Sequence, residues 1–369
     1  SDEEAQLAIE NMRFFDWNQT VQVTGGAGTG KTVLAESVAK TMHARGHKVL
    51  WVCMTINLAN AVRTRLGAEN TNTLRGSDSL QVANINRFLG DFMREHASGK
   101  GSAKAISDVL GNRRGQKKQV RKLEKMFKAA ITEHSERGTL DDWTFDTLIL
   151  DEAQNIEITQ YECLKLLLRE SEKKQIYIFR DPAQTIYNLA EQPAKESAFP
   201  QLPLTRNRRN TRNIHQALKA YYDGDVEYQS NDVDGPEPQR HIVQIDAHYR
   251  ELMVLVNNLL EEGIRSQEIV ILTGSGDGKL AATDNRFATS KEIAQLGSDK
   301  NLILVETPRK FQGLERSVVI LTELERDLKR ADLVRNLLYT TYGRANISLH
   351  IIGTAEEFSL IDAATRHTN

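Results

Sequence analysis

Eight consecutive residues restrict this chain more than any others: Gly25-Gly26-Ala27-Gly28-Thr29-Gly30-Lys31-Thr32. The run Val21-Gln22-Val23-Thr24 precedes them, and Val33-Leu34-Ala35-Glu36-Ser37-Val38-Ala39 follows. The spacing G-x-x-x-x-G-K-T between a strand and a helix is the phosphate-binding loop in its required context. Glycines let the backbone bend so that successive N–H groups converge on phosphate oxygens, and the helix beginning near Lys31 adds the positive end of its dipole. Lys31 then reaches the outer phosphates and the Thr32 hydroxyl can ligate Mg²⁺. These residues, Gly25 to Thr32, predict binding of a nucleoside triphosphate.

The flanks carry the pattern forward. After a helix with Leu34, Val38 and Met42 on one face comes the nearly continuous apolar strand Lys48-Val49-Leu50-Trp51-Val52-Cys53. Strand, loop, helix, strand is the unit of a parallel sheet buried on both faces. Residues 1–14 read as a leading helix, 58–66 as a helix, and 70–84 as a polar loop. Further strand-like runs are expected at Thr147–Glu152 and Gln175–Asp181, separated by a helix running to Glu170. Alternation resumes after the prolines Pro193, Pro200 and Pro203. It gives strands near 241–245, 269–272, 302–305, 318–322 and 347–352, with helices near 211–221, 249–262, 289–296 and 333–341. Residues 223–238 and 273–287 read as loops. The expected organisation is two α/β domains, 1–195 and 196–369, the first carrying a basic insertion at about 99–140.

That insertion stands apart in composition. Residues 100–128 hold ten Lys and Arg against two acids, Asp108 and Glu124, while Val120, Leu123, Phe127 and Ile131 keep helical spacing. Two readings stand: a solvated helix, or an arm that contacts a nucleic acid backbone. The net charge is only −2, so nucleic acid must be recruited by local patches rather than by a global field. No apolar run is long enough to span a bilayer. Cys53 and Cys163 lie in apolar settings without metal-like spacing and read as reduced thiols of a cytoplasmic protein. The acidic start, Ser1-Asp2-Glu3-Glu4, lacks a signal sequence and an initiator Met, so the chain reads as a piece of a longer protein.

A second chemical group follows the strand at 147–150. Asp151-Glu152-Ala153-Gln154 puts two carboxylates at a strand's C-terminal tip, where ligands sit in open parallel sheets. Phosphoryl transfer to water needs one acid for Mg²⁺ and another group to orient the water. Asp151 suits the first role and Glu152 the second. An acidic helix cap is the plain alternative, and the phosphate loop upstream argues against it.

Together these segments resemble the superfamily 1 helicases of the UvrD, Rep and PcrA group. The phosphate loop, Asp151-Glu152-Ala153-Gln154 and Asp181-Pro182-Ala183-Gln184-Thr185-Ile186-Tyr187 look like motifs I, II and III. Leu204-Thr205-Arg206-Asn207-Arg208-Arg209-Asn210 looks like motif IV, Thr307-Pro308-Arg309-Lys310-Phe311-Gln312-Gly313-Leu314-Glu315 like motif V, and Leu338-Tyr339-Thr340-Thr341-Tyr342-Gly343-Arg344-Ala345 like motif VI. The resemblance implies two RecA-like P-loop domains, with ATP and Mg²⁺ in a cleft between them. It implies ATP hydrolysis coupled to movement on single-stranded DNA.

Residue by residue, Gln6 would read adenine, unless it is a plain surface glutamine, and Gln184 would sense the γ-phosphate. Arg209 and Arg344 would neutralise charge developing in transfer, and Gly313 and Glu315 would approach the nucleotide. Nucleic acid contacts would come from Thr55, Asn84, Phe88, Tyr187, Thr307 and Arg309, with a core role as the alternative for Tyr187. The chain departs from the pattern at Arg180, Arg208, Arg309, Gln312 and Gly343. These changes leave ATP turnover in place and bear on strand affinity and coupling. The short stretch between motifs IV and V leaves little room for a large duplex-separating subdomain. An RNA track, or a nucleotide-binding module that controls a nuclease partner, are the rival readings.

Overall fold

The computed structural model describes residues 20–68, 79–96, 117–136, 143–172, 174–183, 199–222, 229–296, 301–329 and 334–365, without the side chains of 96, 117–124 and 135. Packing divides the chain into two units: Ser1–Thr24, Lys31–Asp181 and Tyr187–Pro203 form the first, and Gly25–Gly30, Pro182–Ile186 and Leu204–Asn369 the second. The leading helix expected at 1–14 lies outside the described residues.

In the first unit, β1 (Thr20–Gly25), α1 (Lys31–Ala44), β2 (Val49–Cys53), α2 (Ile56–Leu66), β3 (Leu80–Asn84), α3 (Ile85–His96), α4 (Lys117–Glu136), β4 (Thr147–Leu150), α5 (Ile158–Lys165), β5 (Gln175–Arg180) and β6 (Gln201–Leu204) follow in order. The sheet runs β3-β2-β4-β5-β1-β6. The pairs β1–β5, β4–β5, β2–β4 and β2–β3 are parallel. Parallel strands need both faces covered, and β2 is buried at every residue. Leu50, Val52, Leu148, Leu150, Ile176 and Ile178 share a cluster with Phe88, Phe92, Phe127 and Trp143. On the other face the Tyr177 hydroxyl reaches Met42 of α1.

Three sequence expectations change here. Leu80–Asn84 lies in the stretch read as a loop. It is the edge strand β3, in register with β2 from Val49↔Leu80 to Cys53↔Asn84. Its Gln81 and Asn84 masked the apolar alternation. The helix expected to reach Glu170 ends at Lys165, because Phe145 bridges to Leu168 and its N–H donates to the Leu167 carbonyl. The proline-bearing stretch itself holds one more strand of this sheet, β6, with Pro203 inside it.

The second unit contains α6 (Arg212–Lys219), β7 (Gln239–Ile242), α7 (His248–Glu261), β8 (Ile269–Thr273), α8 (Asp277–Ala281), β9 (Phe287–Ala288), α9 (Ser290–Leu296), β10 (Ile303–Glu306), β11 (Arg316–Thr322), α10 (Glu325–Leu328), α11 (Val334–Tyr342), β12 (Ala345–Gly353) and α12 (Ala355–Ala363). Its sheet runs β7-β12-β11-β8-β10-β9 with parallel pairing throughout. Alternation in β8 sorts the two cores. Ile269 and Ile271 pack with Leu252, Leu255 and Val256 of α7, while Val270 and Leu272 pack with Ile214, Leu218, Leu338 and Tyr339. The stretch 273–287, read as a loop, contains α8 and the start of β9, both too short for a periodicity to register. The chain is thus a mixed α/β protein with two sheets of parallel strands, consistent with a two-domain P-loop NTPase fold.

Candidate active site

Within the first unit, the functional side chains gather at the C-terminal ends of β4 and β5 and at the start of α1. The Thr32 hydroxyl donates to Asp151 Oδ2 at 2.9 Å, and Lys31 Nζ lies 3.6 Å from Asp181 Oδ2. Lys31, Asp151, Glu152 and Asp181 are all buried. Burial and the neighbouring Glu152 charge push the Asp151 carboxyl up to about 7.

Glu152 carries the backbone cost of this arrangement. Its φ of 54° and ψ of 41° place it in the left-handed region, which disfavours side chains beyond glycine by about 1–2 kcal/mol. Strain of this kind gathers where a side chain must be aimed. Three bonds hold the turn. The Glu152 N–H donates to Asp151 Oδ1 at 3.0 Å, the Asn155 N–H donates to the Glu152 carbonyl at 3.0 Å, and Gln154 Nε2 donates to Glu152 Oε2 at 2.5 Å. Gln154 Oε1 in turn accepts from the Asp181 N–H at 3.1 Å. One buried glutamine therefore ties the tip of β4 to the tip of β5. Gln154 and Asp181 stand in the segments likened to motifs II and III, where the sequence reading gave neither a role of its own; each stands just past a strand in an open parallel sheet.

The donor set fits a hydrated divalent ion. Thr32 and Asp151 would hold Mg²⁺ through the hard oxygen ligands it takes, and positive charge there would offset the repulsion that raises Asp151. Among the described residues no cluster of three His, Cys, Asp or Glu side chains could hold a metal. When bound, the ion supplies neutralisation of phosphate charge.

The loop Gly25–Gly30 packs within the second unit. Gly28 and Gly30 have φ of +75° and +89°, so both need glycine. The Ala27 N–H donates to the Tyr339 hydroxyl at 2.8 Å, and the Gly28 carbonyl accepts from the Arg208 N–H at 2.8 Å. Thr29 Oγ1 donates to the Gly26 carbonyl at 2.9 Å.

Elsewhere in that unit, Arg209 donates to Glu315 at 2.6 Å and also to the Gly343 carbonyl. Two residues expected at the nucleotide, Arg209 and Glu315, are thus paired with each other. Arg344 is 3% exposed and its guanidinium approaches the Leu314 carbonyl at 3.5 Å. Gly313 has φ +83° and forms the turn after β10. Gln6, Gln184 and Tyr187 lie outside the described residues.

The nucleic acid candidates separate. Thr55 caps α2, accepting from the Leu58 N–H at 3.3 Å. Asn84 donates to the Met54 carbonyl at 2.5 Å and accepts from the Arg87 N–H at 3.1 Å, so it caps α3 from a buried position. Phe88 is corrected: it is fully buried, edge-on to Trp143 at 5.5 Å, and part of the first unit's core. Its ring is not at the surface to meet a base. The Thr307 carbonyl accepts from the Lys310 and Phe311 N–H groups, so Thr307 opens a turn in which Arg309 is half-buried. In the basic insertion, α4 is anchored by Phe127 and Ala130, both in the core. Cys53 and Cys163 are buried free thiols. Burial and the Asp151 charge push the Cys53 thiol well up. Among the described residues no helix is long and apolar enough to cross a membrane.

The match to known proteins agrees with this geometry. No curated protein matches the chain. Residues 12–190 match the family model of the AAA domain, a P-loop NTPase domain found in UvrD/Rep-like superfamily 1 helicases.

Proposed function

We propose that this chain is an ATP-dependent translocase of the superfamily 1 type, which couples ATP hydrolysis to movement on single-stranded DNA. The observation that carries the hydrolytic half is the bond from Thr32 at the end of the phosphate loop to Asp151, beside a strained Glu152. A loop that only bound nucleotide would not need a second carboxylate held at backbone cost. In this reading Lys31 neutralises the outer phosphates, Glu152 orients the attacking water, and Arg209 and Arg344 supply positive charge to the transferred group. An arginine of this kind contributes about 10³–10⁵ in rate where it has been measured.

The strand-directed half rests on the order of the motifs along both halves and on the AAA domain match. The track is single-stranded DNA in this reading, with RNA as the competing polymer. The deciding measurement is the ATPase rate with and without single-stranded DNA, repeated with RNA at matched salt, because phosphate contacts are salt-dependent. Stimulation by DNA above that by RNA is expected. A rate indifferent to either polymer refutes the motor and leaves a nucleotide-binding module that controls a partner.

A further inference from the structure

The second unit grips the backbone of the phosphate loop at two peptide planes. In the plane joining Gly26 and Ala27, the N–H donates to the Tyr339 hydroxyl at 2.8 Å and the carbonyl accepts the Thr29 hydroxyl at 2.9 Å. In the plane joining Gly28 and Thr29, the carbonyl accepts the Arg208 N–H at 2.8 Å. A trans peptide points its C=O and N–H in opposite directions. Holding the Gly28 carbonyl against Arg208 therefore turns the Thr29 N–H the other way, and direction of N–H groups is what makes such a loop an anion receptor.

The packing around this grip leaves no slack. A Cβ on Gly28 would come within 2.4 Å of Asn207 Oδ1 and 2.6 Å of Asn210 Oδ1. Those two asparagines are themselves pinned. Asn207 Nδ2 donates to Asn210 Oδ1 at 2.8 Å, and Asn210 Nδ2 donates to the Ala345 carbonyl at 2.6 Å. On the other side a Cβ on Gly343 would meet Ala27 Cβ at 2.7 Å. Ala27 is 1% exposed and Tyr339 fully buried, so water cannot replace the hydroxyl without a rearrangement.

We propose that Tyr339 is a positioning residue for nucleotide binding: its hydroxyl fixes the Gly26–Ala27 peptide, and with it the loop's anion-facing amides, while Gly343 is kept small so that Ala27 can sit against α11. This rests on the reading of the loop as an ATP site. It also accounts for one departure from the helicase pattern, the glycine at 343, by contact with a residue of the loop itself.

Tyr339→Phe removes the hydroxyl and keeps the ring, whose tilted contact with Tyr222 at 5.5 Å remains. Leaving the Ala27 N–H buried without its acceptor favours a turned peptide. The affinity for a fluorescent ADP analogue is expected to fall about tenfold, and the KM for ATP to rise by a similar factor while kcat stays within about twofold. A hydroxyl with only a stabilising role would lower Tm and leave KM unchanged below the transition. Amide hydrogen exchange supplies a readout free of turnover: a peptide spanning Gly25–Gly30 should exchange faster in Tyr339→Phe. Gly343→Ala should weaken ADP binding as well, and adding Ala27→Gly, which removes the colliding methyl, should recover most of it. Wild-type chain that fails to bind the ADP analogue overturns both the ATP-site reading and this proposal. Wild-type binding with unchanged affinity and exchange in Tyr339→Phe, or no recovery in the double variant, overturns this proposal alone.

Discussion

Phe88 separates a core residue from a strand-contacting one. The ring is fully buried, 5.5 Å from Trp143 in an edge arrangement and 5.9 Å from Phe145. Truncating such a phenylalanine to alanine costs about 3–5 kcal/mol through lost transfer energy and the cavity left behind. Aromatic pairs add about 0.5–1.5 kcal/mol each, and two pairs place Phe88→Ala near the top of the range, at about 4–5 kcal/mol. For a unit of this size each kcal/mol moves Tm by about 2–4 °C, so calorimetry should show the first unit melting about 8–20 °C lower. Binding of a fluorescent oligo-dT is measured by anisotropy well below that transition. The folded Phe88→Ala protein should bind within about twofold of wild type. A tenfold loss of strand affinity with Tm within about 3 °C would refute the reasoning and return Phe88 to the surface role read from its motif.

Other variants test the site and the second sheet. Glu152→Gln should abolish ATPase while Tm stays within about 2 °C, since the bond from Gln154 still finds an oxygen; normal turnover would remove Glu152 from the chemistry. Lys31→Ala should abolish ATPase and also cost stability, about 2 kcal/mol, because the fully buried Asp181 loses a cation 3.6 Å away; an unchanged melt would contradict that. His350 is pushed down to about 4 by burial and by the neighbouring His241, whose Nε2 lies 3.2 Å from its Nδ1. The unfolded chain, with His near 6.5, then binds more protons than the folded one between pH 6.5 and 4. Stability from this group is present above pH 6.5 and lost as the pH falls toward 4, by up to about 3 kcal/mol. His350→Gln should flatten the acid limb of a Tm-against-pH curve, and an unaltered slope would assign it to other groups.

What was legible in the sequence, and what was not, follows from how local the deciding physics is. The strands β2, β4, β5, β8 and β11 are short apolar runs, and burial on both faces forces such runs wherever they occur. The phosphate loop is equally local, because its glycines answer to their own dihedrals. Phe88 was also readable: Phe88, Leu89, Phe92 and Met93 repeat at helical spacing, the mark of a core-facing helix. The left-handed turn at Glu152 was not readable, since glutamate has no preference for it. The turn exists because Asp151, Asn155 and Gln154 bond around it, and Gln154 is held by Asp181 from another strand.

Gly343 marks the boundary between the two kinds of information. Set beside the motif it is a departure; set in the fold it is the space that Ala27 needs, 2.7 Å from where its Cβ would stand. The meaning of that glycine lies 316 positions away in the chain, a separation that only folding closes. A substitution that looks like decay of a motif can therefore record a change in its partner. For such a pair the informative unit is the two residues together, and a single-residue comparison with a family pattern misjudges both.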